Sequence, residues 1–379
     1  MRTRLSWAFT WAALGMMVGA CSGSIDDGNL AGSGGASAGT GTSVSGSGGE
    51  QAASTGGPLP TGSGSSQATT GGAEASGSGA AGGGAPAGGG DMASGTGGSG
   101  DGGGTFTGTC TASRPAGRSV SGSGPHQVVV ETNSDPGINQ GTIFRPADLG
   151  GDTKYPIFVW GEGGCSRDGL ATEAAMAEIA SHGYFVVADG TPENSEPNRE
   201  LGGGGEVLLA YIDWVIAENE KPCSAYYRHI ETTKVAANGF SCGGLMAAGT
   251  AADPRMTTWG HTSSGSFSVN QAFYNSIRTP VLIVTGTEDS LGADDNGARD
   301  FENIAARGDI PVMMFAKVGA DHGGDLWSRN GGEFTQVNLA WLNWWLKGDE
   351  SATGKGMLVG ASCRFCTDRS WNIRSANLP

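Results

Sequence analysis

The stretch Thr232-Thr233-Lys234-Val235-Ala236-Ala237-Asn238-Gly239-Phe240-Ser241-Cys242-Gly243-Gly244-Leu245-Met246 reads as a buried strand, a tight turn carrying Ser241, and the start of a helix. Val235-Ala236-Ala237 is the apolar strand and Leu245-Met246-Ala247-Ala248 the helix-forming run. Between them, Gly239-x-Ser241-x-Gly243 has the glycine spacing of a sharp strand-to-helix turn, where a Cβ on either flank would collide with a neighbouring strand or helix. Such a turn lifts the serine hydroxyl clear of the sheet and makes it a candidate nucleophile. The chain holds 70 glycines, so the spacing alone carries little weight. Gly35-Ala36-Ser37-Ala38-Gly39 repeats it among small and polar residues, with no strand or helix beside it. Context selects Ser241.

Working outward, Gln127 to Glu131 and Gly141 to Phe144 read as early strands, and Pro156-Ile157-Phe158-Val159-Trp160 as a continuous apolar strand buried on both faces. Leu170 to Ser181 reads as a helix and Tyr184 to Ala188 as a strand. Glu206 to Asn219 is predicted helical because Leu208, Tyr211, Ile212 and Val215 recur at the spacing that makes one apolar face. Beyond the elbow, Thr257 to Gly260, Pro280 to Val284 and Pro311 to Ala316 read as strands, and Phe334 to Leu346 as a closing helix. Repeated alternation of strand and helix predicts an α/β fold, a doubly wound, mostly parallel sheet with helices on both faces.

A serine hydroxyl is a poor nucleophile until a base takes its proton, and the base must be held by an acid. The elbow resembles that of the α/β-hydrolases, in which serine, acid and histidine follow in that order. Of 5 histidines, His261 and His322 lie downstream. His261 comes too soon for a strand-borne acid to intervene. His322, in the glycine-rich segment Lys317 to Gly324 after the last strand, is the predicted general base. The acid is expected in Gly286-Thr287-Glu288-Asp289-Ser290, at the C-terminal sheet edge where ligands bind in such folds. Asp289 is the predicted acid and Glu288 its nearest rival, while Asp294 and Asp295 read as a solvated loop pair. Two backbone amides are needed for the oxyanion. The residue after the nucleophile, Cys242, supplies one, and Glu162 in Trp160-Gly161-Glu162-Gly163-Gly164-Cys165 the other. Cys165 and Cys242 then lie in the two oxyanion loops, and a disulfide between them is expected, with two free thiols as the alternative.

The Ser241 elbow, Gly286 to Leu291, His322 and the ending Trp341-Leu342-Asn343-Trp344-Trp345-Leu346-Lys347-Gly348-Asp349 together resemble the dienelactone-hydrolase-like branch of the α/β-hydrolases, which includes secreted cutinase-like polyester hydrolases. Trp160-Gly161-x-Gly163-Gly164-Cys165 with Ser241-Cys242-Gly243-Gly244 also resembles a group of secreted fungal and bacterial hydrolases. The likeness runs from about Gln127 to the C-terminus and implies a carboxylic ester hydrolase needing no cofactor; Cys363-Arg364-Phe365-Cys366 lacks a second pair at zinc-site spacing, so no metal site is expected. Polyester hydrolases of this branch carry a tryptophan in the loop after the strand that follows the elbow helix. This chain reads Thr262-Ser263-Ser264-Gly265-Ser266-Phe267 there, and Phe267 is the expected substrate-binding stand-in. Glu162 is expected to put a carboxylate at the mouth, disfavouring acidic substrates by like-charge repulsion.

At the N-terminus, Arg2 and Arg4 precede an apolar run from Leu5 to Val18 that reads as a secretory signal over residues 1–20. Val18-Gly19-Ala20-Cys21 resembles the bacterial lipobox, which implies lipidation at Cys21 and a bacterial membrane as partner; Ser22 favours the outer membrane or cell surface. From 21 to 108 the chain is Gly, Ser, Ala and Thr with almost no large apolar residue, so no core offsets the entropy of ordering it. As a random coil this tether would span roughly 50 Å on average. Residues 109–379 have the composition of one substantial catalytic domain. A net charge of −15 without a basic stripe excludes a nucleic-acid partner. Cysteines other than Cys21 predict disulfides in an oxidising compartment, Cys363 and Cys366 stapling the C-terminal segment to each other, to Cys110 or to Cys223. The predicted function is a lipid-anchored serine esterase acting on an ester substrate such as acylated polysaccharide or polyester. The rival is a non-catalytic surface lipoprotein that binds through the same scaffold.

Overall fold

The computed structural model describes residues 117–132, 138, 140–192 and 196–379. The expected signal segment, Cys21, the expected tether and Cys110 lie outside the described residues.

Ten strands form one sheet in the order β1-β2-β3-β5-β4-β6-β7-β8-β9-β10. They are β1 (Gly117–Val120), β2 (Val128–Thr132), β3 (Gly141–Pro146), β4 (Tyr155–Gly161), β5 (Phe185–Asp189), β6 (Ile230–Gly239), β7 (Met256–Thr262), β8 (Val281–Gly286), β9 (Val312–Lys317) and β10 (Trp371–Ala376). The run β5-β4-β6-β7-β8-β9 is parallel throughout. Antiparallel pairing is confined to the flanks, β1-β2-β3-β5 on one side and β9-β10 on the other.

The continuous apolar strands are explained by two cores. Ile157 and Val159 of β4 face a layer containing Leu208, Ile212 and Val215 of α2 (Gly205–Glu220) and Met246 of α3 (Cys242–Ala248). Phe158 and Trp160 face the opposite layer, with Met176 and Ile179 of α1 (Glu173–Ser181) and Phe334 and Trp341 of α6 (Gly332–Lys347). Each such side chain contributes about 1.5–3 kcal/mol when fully buried, so both layers are held to the sheet mainly by apolar burial.

Five strands and α-helices differ from the sequence reading. The edge strands β1 and β10 are absent from it, because their exposure pattern leaves only Trp371 of β10 buried and neither reads as an alternating apolar strand. Residues around Asp294 and Asp295 are no loop: they open the helix α5 (Ala293–Ala305). Its buried face carries Gly297 and Asp300 among Ala293, Phe301 and Ile304, which breaks the apolar pattern. The glycine is there for space, since a Cβ on Gly297 would stand 3.0 Å from Ile283 Cγ2 on β8. The short helix α4 (Gln271–Ser276) precedes β8, and α7 (Lys355–Leu358) follows α6.

Candidate active site

Ser241 stands between β6 and α3 with φ 54° and ψ −118°, a conformation that costs a non-glycine residue on the order of 1–3 kcal/mol. The surroundings fix it there. Its N–H donates to Thr262 O at 2.9 Å, and its own carbonyl accepts from Gly244 N at 2.9 Å and from Ser264 Oγ at 2.7 Å. The flanking glycines are required by close backbone approach. A Cβ on Gly239 would lie 2.2 Å from Gly243 O, and one on Gly243 2.0 Å from Gly161 O. Below the turn, Asn238 accepts from Gly239 N and donates to Asn338 Oδ1 of α6, both at 2.6 Å, which ties the elbow strand to the helix layer.

The structure brings Asp289 and His322 together. Asp289 follows β8 in a turn whose N–H bonds back to Gly286 O, and His322 follows β9. His322 Nδ1 lies 3.0 and 2.9 Å from the two carboxylate oxygens of Asp289. The carboxylate is fully buried and also accepts the N–H of Leu291 at 3.0 Å and of Ala293 at 3.3 Å. Burial alone would raise the Asp289 pKa, but the His322 contact and the two amides outweigh it and hold the group below the usual aspartate value. The rival Glu288 is exposed. Asp294 accepts from Thr285 Oγ1 at 2.6 Å instead. His261 is buried on β7 beside Asp300, its Nε2 3.3 Å from the carboxylate, on the layer that holds α5.

Glu162 and Cys242 sit on facing loops. Gly161 O accepts from Phe240 N at 3.0 Å, which sets the loop after β4 against the elbow. Among the described residues neither the Glu162 nor the Cys242 N–H has a hydrogen-bond acceptor. The two loops are joined by the Cys165–Cys242 disulfide, with Cα atoms 5.1 Å apart. Cys363 and Cys366 pair with each other, and Cys223 is disulfide-bonded as well.

The carboxylate expected at the mouth is not there. The Glu162 side chain is wholly buried and accepts from Thr172 Oγ1 at 2.9 and 3.1 Å. Burial pushes its pKa up to about 8, only partly opposed by the Thr172 hydroxyl, so at neutral pH it is largely an uncharged acid. It therefore sets no charge barrier against acidic substrates.

Phe267 lies in the loop after β7, 63% exposed. The sequence reading missed its neighbours Ser263 and Ser264, which are buried and bond to Gly323 N and Ser241 O. It also missed Phe240, whose ring centroid is 4.9 Å from that of His322, and Trp327, 5.3 Å from Phe240. Serines in a polar loop carry no local signal for such contacts. For Phe240, its place beside Ser241 in the elbow could have served as one.

A family model described as PETase: PET hydrolase-like matches residues 111–355, well over half of the chain. No curated protein matches it. With its parallel-centred sheet between two helix layers, the chain belongs to the PET hydrolase-like family of α/β-hydrolases, a family of carboxylic ester hydrolases.

Proposed function

We propose that the chain is a serine esterase in which Ser241 is the nucleophile, His322 the general base and Asp289 the acid that orients it. The reading is carried by the buried contact of 2.9–3.0 Å between Asp289 and His322 Nδ1, on loops at the same sheet edge as the Ser241 elbow. With Nδ1–H donating to the carboxylate, Nε2 is left as the acceptor for the Ser241 proton. Attack of Oγ on the ester carbonyl then gives a tetrahedral oxyanion facing the free amides of Glu162 and Cys242. Collapse expels the alcohol, which takes the proton from His322, and leaves an acyl-enzyme. A water activated by the same His322 hydrolyses it, releasing the acid and regenerating Ser241.

The family match favours polyester as substrate, and an acylated polysaccharide presents the same bond. In this proposal Cys21 carries a lipid and the glycine-rich segment holds the domain away from an outer membrane or cell surface. Those parts are supported by the residues Val18 to Cys21 and by the composition of residues 21–108.

Full-length protein made in an oxidising compartment tests the reading by fluorophosphonate labelling and by hydrolysis of short- and long-chain nitrophenyl esters. Labelling and turnover are expected together, and both are lost in Ser241→Ala. A folded protein that neither labels nor turns over overturns it.

A further inference from the structure

Cys363-Arg364-Phe365-Cys366, between α7 and β10, closes its disulfide across a sequence separation of 3, against 77 for the Cys165–Cys242 bridge. A loop that short takes far less freedom from the unfolded chain than the longer one, so its bond adds less to the stability of the fold. The segment also has other anchors. Phe365, between the two cysteines, is fully buried, its ring centroid 6.0 Å from that of Phe315 and 5.5 Å from that of Trp371. The Thr367 N–H donates to Cys363 O at 3.2 Å, and the Trp371 N–H to Asp368 O at 3.2 Å. A buried ring and the backbone thus fix this turn whether or not the sulfurs are joined.

The two cysteines are unequal. Cys363 is 2% exposed, while Cys366 lies open to solvent. An incoming thiolate can therefore reach Cys366, with Cys363 as the leaving sulfur. The leaving sulfur has a donor in place: the Cys366 N–H lies 2.9 Å from Cys363 Sγ, and a thiolate accepts such a bond more strongly than a disulfide sulfur does. Cys366 Sγ in turn stands 3.4 Å from Leu358 O, an acceptor for its thiol hydrogen once the pair is reduced. One turn accommodates both redox states. In the longer bridge, by contrast, Cys242 is 4% exposed and its partner sits on a separate loop.

We propose that Cys363–Cys366 is a thiol–disulfide exchange site whose substrate is an external dithiol. One thiolate of the dithiol attacks Cys366 Sγ. A mixed disulfide forms, the Cys363–Cys366 bond breaks, and its electron pair passes to Cys363 Sγ, which takes a proton from water. The second thiol of the dithiol gives its proton to water and attacks the reagent's own sulfur in the mixed disulfide. Cys366 leaves with the electron pair and is protonated, and the reagent departs as its internal disulfide. Two electrons pass to the protein, and the same steps in reverse re-form the bridge at the expense of a disulfide. The site is independent of the esterase reading above.

The test equilibrates the full chain with graded mixtures of reduced and oxidised dithiothreitol near neutral pH, alkylates the free thiols and locates them by peptide mass mapping. Cys363–Cys366 is expected to be half reduced at a ratio of reduced to oxidised reagent about tenfold or more below that needed for Cys165–Cys242, with the near-ultraviolet circular dichroism of the folded chain retained. Two single variants test which sulfur is reached. Cys366 in Cys363→Ser is expected to form a mixed disulfide with oxidised glutathione about tenfold or more faster than Cys363 does in Cys366→Ser. If Cys363–Cys366 in the unaltered protein opens only together with Cys165–Cys242, or only as the fold is lost, the inference is overturned. Equal glutathione rates in two folded variants overturn it as well, since they remove the inequality on which the exchange step depends.

Discussion

The backbone N–H of Gly323 donates to Ser263 Oγ at 3.0 Å, across 60 residues of sequence. The same short segment holds Ser241, since Thr262 O accepts the Ser241 N–H and Ser264 Oγ reaches the Ser241 carbonyl. Thr262 to Ser264 thus fastens the backbone of Ser241 and that of the residue next to His322 to one support. Ser263 itself sits at φ 45° and is buried. On the proposed mechanism its hydroxyl is a positioning group. Ser263→Ala leaves the buried Gly323 amide unsatisfied, at a cost of about 1–3 kcal/mol. We expect kcat to fall roughly tenfold with KM little changed, a split that steady-state kinetics on a nitrophenyl ester would reveal.

In the proposed mechanism, Asp289→Asn keeps the shape of the acid but removes the charge that would orient and stabilise protonated His322. A loss of about four orders of magnitude in kcat is expected. Glu288→Gln, on an exposed neighbour, should stay within about threefold of the parent. Equal losses in the two variants would exclude Asp289 as the orienting acid.

Glu162 predicts a pH dependence of stability. Its folded pKa of about 8 lies above the ordinary glutamate value of 4.5, so between those values the folded chain retains a proton that the unfolded chain has released. Its contribution is complete below about pH 4.5 and is lost as pH rises towards 8, at up to about 1.4 kcal/mol per pH unit. Glu162→Gln can keep the Thr172 bond and removes the titration. Urea unfolding between about pH 5 and 8.5 should show a shallower decline with pH in the variant than in the parent, and parallel declines would contradict the assignment.

The Cys165–Cys242 bridge closes a loop with a sequence separation of 77. Its removal in Cys165→Ala/Cys242→Ala should lower unfolding stability by about 2–4 kcal/mol. Because both partners sit on the loops that present the free amides, kcat should fall as well. Loss of stability with kcat intact would separate the disulfide from the oxyanion site.

The sequence by itself determined the strand–turn–helix around Ser241, the parallel centre of the sheet, and the segments that hold Asp289 and His322. These depend on local features: apolar runs buried on two faces, glycines where backbones touch, and strand ends that put their loops on one edge. The Cys165–Cys242 pairing was legible for the same reason, since both cysteines fall in loops that must approach each other. Only the tertiary structure decided where side chains point once those loops are packed. Glu162 reads as a charge at the mouth, yet the approach of Thr172 before α1 draws it inward and burial protonates it. Ser263 reads as a plain loop serine until β9 brings Gly323 beside it. Asp294 reads as solvated until α5 lays its first turn against Thr285. In each case the partner lies at least nine residues away in the chain, and its position is set by which helix layer covers which face of the sheet.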